Sequence, residues 1–176
     1  MKYLIKKLKQ NCPIHIYWYK MKKFDIEEVR EFIRKESETT KIYVGTDSEV
    51  HKKNGKWYVN YYSVVVIHHN GRNGAKVFGF KTTEIDYTKD KRKPLYRLMQ
   101  EVYKASELYL SLVDAIGERE VEVHLDLNPN KKYVSNMVVD QAIGYIKGTC
   151  NVVPMIKPDS WAASSVADKF LRIASA

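Results

Sequence analysis

The 176-residue chain has only two cysteines, Cys12 and Cys150. That excludes a disulfide framework and points to a reducing cytoplasm. Cys12 and His15 resemble half of a zinc site, but no second half is visible in the sequence. No apolar run approaches the length of a membrane span. The start, MKYLIKKLKQNCPIHIYWYK, is interrupted by lysines and lacks the continuous apolar segment of a signal peptide. No repeat and no long low-complexity linker breaks the chain. The reading is therefore a basic arm over 1–23 followed by a single domain over 24–176. Acid is also in deficit, with 21 Asp and Glu against 30 Lys and Arg, for a net charge of +9. A polyanion such as nucleic acid is the natural partner for that balance.

What is present is an α/β alternation. Residues 24–38 read as a helix, with Asp25 as cap, Glu28 completing a capping box and Phe24 as staple. Three strands follow at 41–51, 57–68 and 75–85, joined by turns carrying Asn54-Gly55 and Asn70-Gly71. The lysine-rich stretch 86–94 is a loop. From Leu95 to Ile116 the apolar residues recur with helical period, and Gly117 ends the run. The order then predicted is a strand at 120–127, a helix at 132–148, a strand at 151–157 and a terminal helix from Asp159. Strands reached through helices pair in parallel with right-handed crossovers. The simplest arrangement is a five-stranded mixed sheet of order 3-2-1-4-5 with helices on both faces.

One residue resists this apolar logic. In KIYVGTDSEVH a buried strand runs directly into Asp47. A carboxylate at the end of a core strand is costly unless its charge is compensated. On the fourth strand, alternation puts Glu122, His124 and Asp126 on one face, so Asp126 and Asp47 fall on neighbouring strands about 5 Å apart. Two such carboxylates repel unless a cation lies between them, and oxygen-only ligands select Mg²⁺ or Mn²⁺. Glu101 flanks the apolar stripe of its helix and can look toward the sheet rim, whereas Glu107 faces solvent. A fourth acid comes from the terminal helix, where Asp168 competes with Asp159. The alternatives are plain ones: Glu101 as a surface acid paired with Arg97, His124 as a structural histidine, and His51 as a solvated one. Ser48 points away from Asp47, which makes a nucleophilic serine a poor reading.

The segments VGTDSEVH, HLDLN, the IKG ending of the following helix and KPDSWAASSVADK resemble the bacterial family of predicted ribonuclease H-related nucleases, over about residues 24 to 172. That resemblance implies a ribonuclease H-like fold and a set of acids binding divalent metal: Asp47, Glu101, Asp126 and Asp168, with Asp159 as the lesser candidate. Family members often carry a glycine-rich stretch after the strand-four aspartate, where this chain has LNPNKKY. The expected activity is two-metal phosphodiester hydrolysis of a structured nucleic acid. Lys157, His51, Lys91, Arg92 and Lys93 are the candidate substrate contacts. A catalytically inactive nucleic-acid-binding module of the same fold is the alternative.

Overall fold

The computed structural model describes residues 25–71, 73–86 and 94–169. The basic arm with Cys12 and His15, the staple residue Phe24, and Lys91, Arg92 and Lys93 all lie outside the described residues.

Helix α1 spans Ile26–Lys35. The Asp25 side chain accepts the Glu27 amide hydrogen at its start, and Val29 and Ile33 face inward. Strands β1 (Lys41–Lys53), β2 (Lys56–His68) and β3 (Ala75–Ile85) form an antiparallel meander. Its first hairpin turns on Asn54 and Gly55, at φ 50° and 78°, the positive values that a two-residue turn of this hand requires. Helix α2 (Leu95–Ile116) returns the chain to β4 (Val121–Leu125), which pairs in parallel with β1. A 3-10 turn at Val134–Val138 leads into helix α3 (Val139–Cys150), and a π-helical segment at Ala162–Ala167 follows.

The sheet has four strands in the order 3-2-1-4, not five. The segment expected as a fifth strand does lie beside β4. Met155 donates to Val123 O at 2.8 Å and accepts from Leu125 N at 2.9 Å, and Lys157 N donates to Leu127 O at 3.0 Å. Only a single parallel bridge, His124 to Met155, results. Pro154 has no amide hydrogen and interrupts the run, so pairing is confined to alternate residues after it.

Two further expectations shift. The helix predicted from residue 132 begins at Val139, because Ser135 and Asn136 spend their side chains on the preceding loop: Asn128 N donates to Ser135 Oγ at 3.0 Å, and Asn136 Nδ2 to Pro129 O at 2.6 Å. The same helix continues through Gly148 and stops at Asn151, which takes the left-handed conformation at φ 56°.

The two faces of the sheet differ. Ile42, Val44, Val65, Ile67, Val123 and Leu125 pack against α1, α2 and α3 in the main core. Each fully buried branched side chain there contributes ~1.5–3 kcal/mol. The opposite face carries Tyr43 and Val66 and is covered by Trp161, Ala162 and Val166 of the last helical segment. Helices therefore lie on both faces, with the larger set on one.

That last segment comes unusually close to β1. A methyl group at Gly45 would sit 2.7 Å from Ala163 N and 2.9 Å from its Cα. Only glycine permits this approach. His124, fully buried on β4, fixes the other side of the contact: its Nδ1 accepts the Ala162 amide hydrogen at 3.0 Å. Burial lowers the His124 pKa, so the ring is neutral, with Nε2–H donating to Glu122 at 2.9 Å. The histidine is structural, and Tyr43 and Trp161 enclose it at ring-centroid distances of 5.4 Å each.

Candidate functional site

The last paired couple between β1 and β4 is Thr46 with Leu125. Asp47 and Asp126 are each one residue further on, at the carboxyl ends of two parallel strands. Such ends are where open α/β sheets present ligand sites. The inward residues before them are apolar and buried, which fixes the register and hence the placement of both acids.

Asp47 is half-buried. Its Oδ1 accepts the Ser48 amide hydrogen at 2.8 Å. Burial raises its pKa to about 6, and the charges of Asp126 and then Asp168 push it the same way; the Ser48 amide and Arg97 oppose them. Glu101, 4 % exposed, enters from α2. Burial raises its pKa to about 8, with the Asp47 charge adding to that shift and Arg97 and Ser48 opposing it. Asp47 thus feels the charges of Asp126 and Asp168, and Glu101 those of Asp47 and Asp126.

Ser48 does point away from Asp47, as strand alternation requires, yet it belongs to the same locus. Its Oγ donates to Glu101 Oε1 at 2.5 Å and receives Arg97 Nη1 at 2.5 Å, while Arg97 also reaches Glu101 Oε1 at 2.9 Å. Helical i, i+4 spacing makes the Arg97–Glu101 pair legible in sequence. The part played by Ser48 is not, because it depends on the α2 face packing over β1.

Lys157 Nζ lies 3.0 Å from Asp126 Oδ2 and 2.9 Å from Oδ1. Only the Oδ2 contact is aligned as a hydrogen bond. Asp126 Oδ1 is buried and has no hydrogen-bond partner among the described residues. That oxygen thus has the Lys157 charge beside it but no aligned donor.

The remaining candidates separate. Asp168 ends the π-helical segment and acts on Asp47 through its charge. Asp159 is exposed, precedes that segment and acts on His124. It is not among the charges that shift Asp47 or Glu101. His51 stands four positions along β1 from Asp47, on the same face, and stacks on Tyr58 at 5.6 Å and 21°. Its Nδ1 is buried without a hydrogen-bond partner among the described residues.

Asp47, Glu101, Asp126 and Asp168 offer only oxygen donors, the set that suits a hard divalent ion. Among the described residues, however, no group of three or more His, Cys, Asp or Glu side chains is gathered closely enough to hold a metal.

No curated protein and no solved structure gives a significant match to the chain. A family model described as ribonuclease H-like matches residues 25–172, which takes in every described element and all four acids. The chain belongs to the ribonuclease H-like family.

Proposed function

We propose that the protein is a divalent-metal-dependent nuclease that hydrolyses phosphodiester bonds of a structured nucleic acid, with Mg²⁺ or Mn²⁺ held by Asp47, Glu101, Asp126 and Asp168. The observation that carries this reading is the crowding of buried acids at one locus. Asp47 and Glu101 are pushed to about 6 and about 8 by burial and mutual repulsion, beside an Asp126 oxygen with no hydrogen-bond partner. A protein gains nothing in stability from such an arrangement. A cation relieves it, and perturbed carboxylates at strand ends are a mark of functional sites. The family, whose members are generally nucleases, supports the same reading.

When bound, a divalent pair activates water on one side of the phosphate and stabilises the leaving oxygen on the other. The chain's own residues do the rest. Asp47, at the end of β1 and within reach of the charges of Asp126 and Asp168, would be a ligand to the metal. Arg97 and the Ser48 hydroxyl hold one oxygen of Glu101 in place. Lys157 pairs with Asp126, and its ammonium would meet a substrate phosphate at the same edge of the sheet. Asp168 completes the set from the same face of the sheet as Asp47.

One observation favours a second reading. The Lys157 ammonium already compensates Asp126, and the acids are not gathered at ligand distance among the described residues. A binding module that retains the fold without turnover would look like this. The two separate on one experiment. Asp47→Asn and Asp126→Asn are each assayed for cleavage of labelled hybrid, duplex, single-stranded and branched substrates in Mg²⁺ and Mn²⁺. Loss of cleavage in both variants with the fold intact is expected. Undiminished turnover in either removes the two-metal reading, and no cleavage by the wild type favours the binding module.

A further inference from the structure

The stretch LNPNKKY follows the acid of the fourth strand, and the metal-dependent reading makes no use of it. It starts immediately after Asp126, at the same carboxyl edge of the sheet. The loop from Asn128 to Val138 has little regular structure but is tied by its own hydrogen bonds. Asn128 Oδ1 accepts from Asn130 N, and Asn130 Oδ1 from Lys132 N, both at 3.0 Å. Tyr133 N donates to Asn130 O at 3.0 Å, and the Ser135 and Asn136 side chains close the loop.

A loop fixed by polar groups would be expected to expose polar side chains. This one turns large apolar groups outward instead: Tyr133 at 55 %, Val134 at 51 % and Met137 at 70 % exposure. Lys131 and Lys132, also exposed, stand beside them with no carboxylate in ion-pair contact among the described residues. An aromatic face next to uncompensated lysines, at the rim of a site for phosphodiesters, matches one occupant. Bases of a single strand stack on aromatic rings while the backbone follows positive charge. Bases in a duplex are already stacked and offer no free face. A loop whose conformation is set before binding loses little further entropy on contact.

We infer that the loop 128–138 is a stacking platform for unpaired bases, with Tyr133 as its principal ring, so that the substrate is single-stranded beside the bond to be cut. This rests on the nucleic-acid reading of the acid site, but its test does not require turnover. Tyr133, Val134 and Met137 lie outside the core, so substitution there leaves folding intact.

The experiment is fluorescence anisotropy of the full chain in EDTA, with a labelled single-stranded 12-mer and its duplex as probes. Tyr133→Ala should weaken single-strand binding about tenfold, the loss typical of one stacked base. Tyr133→Phe, which keeps the ring, should retain wild-type affinity, and the duplex should bind all three proteins alike. The inference is overturned if Tyr133→Ala binds the single strand as tightly as the wild type. It is also overturned if the wild type does not bind it, or if the alanine variant loses duplex affinity equally. Cleavage of the same strand in Mn²⁺ is scored separately. Ring-dependent binding without cleavage upholds the platform and removes the nuclease reading; cleavage without ring dependence does the reverse.

Discussion

Replacing Glu101 by Gln should stabilise the metal-free protein at neutral pH. Glu101 is 4 % exposed and its carboxyl is raised from 4.5 to about 8, first by burial and then by Asp47. The folded state therefore holds a proton that the unfolded chain releases above its ordinary value. The stability this supplies is fully present below pH 4.5 and is lost as pH rises through about 8. At about 1.36 kcal/mol per pH unit, the loss between pH 4.5 and pH 7 is about 3 kcal/mol. Asp47 shares part of it, so the observable gain in the variant should be about 1–3 kcal/mol. Glutamine has the shape of the protonated acid and keeps an oxygen for Ser48 and Arg97. Thermal melts in EDTA across pH 4.5 to 8 measure the effect. The two proteins should melt together at the acid end and diverge by several degrees at the alkaline end. Adding Mn²⁺ should raise the wild-type melting temperature and leave the variant nearly unmoved. Parallel curves at all pH values, or a variant less stable throughout, would refute the claim that burial and Asp47 outweigh Arg97 and Ser48 at Glu101.

Other expectations follow from the same geometry. Asp168→Asn should abolish or severely cut cleavage and weaken Mn²⁺ binding. Asp159→Asn should cost little, since Asp159 is exposed and shifts neither Asp47 nor Glu101; a dead Asp159→Asn beside an active Asp168→Asn would reverse the assignment. Affinity for nucleic acid should fall steeply with salt, and neutralising Lys91, Arg92 and Lys93 together should flatten that slope; an unchanged slope puts these residues away from the substrate. Gly45→Ala should destabilise the fold by about 1–3 kcal/mol through the clash with Ala163, measured by urea unfolding; an unaltered midpoint would mean the contact is loose.

The order of the meander and of α2 is legible because each obeys a single period. Strand three and α2 begin and end where the pattern does, at Ala75–Ile85 and Leu95–Ile116. The segments that shift are those where a local rule competes with the period. Pro154 cuts the fifth strand to a bridge, and Ser135 and Asn136 delay α3 by bonding to the loop. Within the site, the nearness of Asp47 to Asp126 follows from strand pairing, and Glu101 from its flank position on α2. Ser48 and the Lys157 contact with Asp126 are different. They depend on how a helix and an irregular segment settle on the sheet, which spacing along one element does not encode.

Gly45 lies two residues before Asp47, and Ala163 five before Asp168. The missing side chain at Gly45 thus lets the segment that carries Asp168 settle on the same face of the sheet as Asp47, and so sets the standoff between the two acids, much as a shim sets the gap between jaws. A change in the bulk at position 45 would widen that gap before it alters either acid. On the proposed reading, metal preference is then partly a property of a glycine that touches no metal, and the ratio of Mg²⁺- to Mn²⁺-supported activity in Gly45→Ala would read that gap directly.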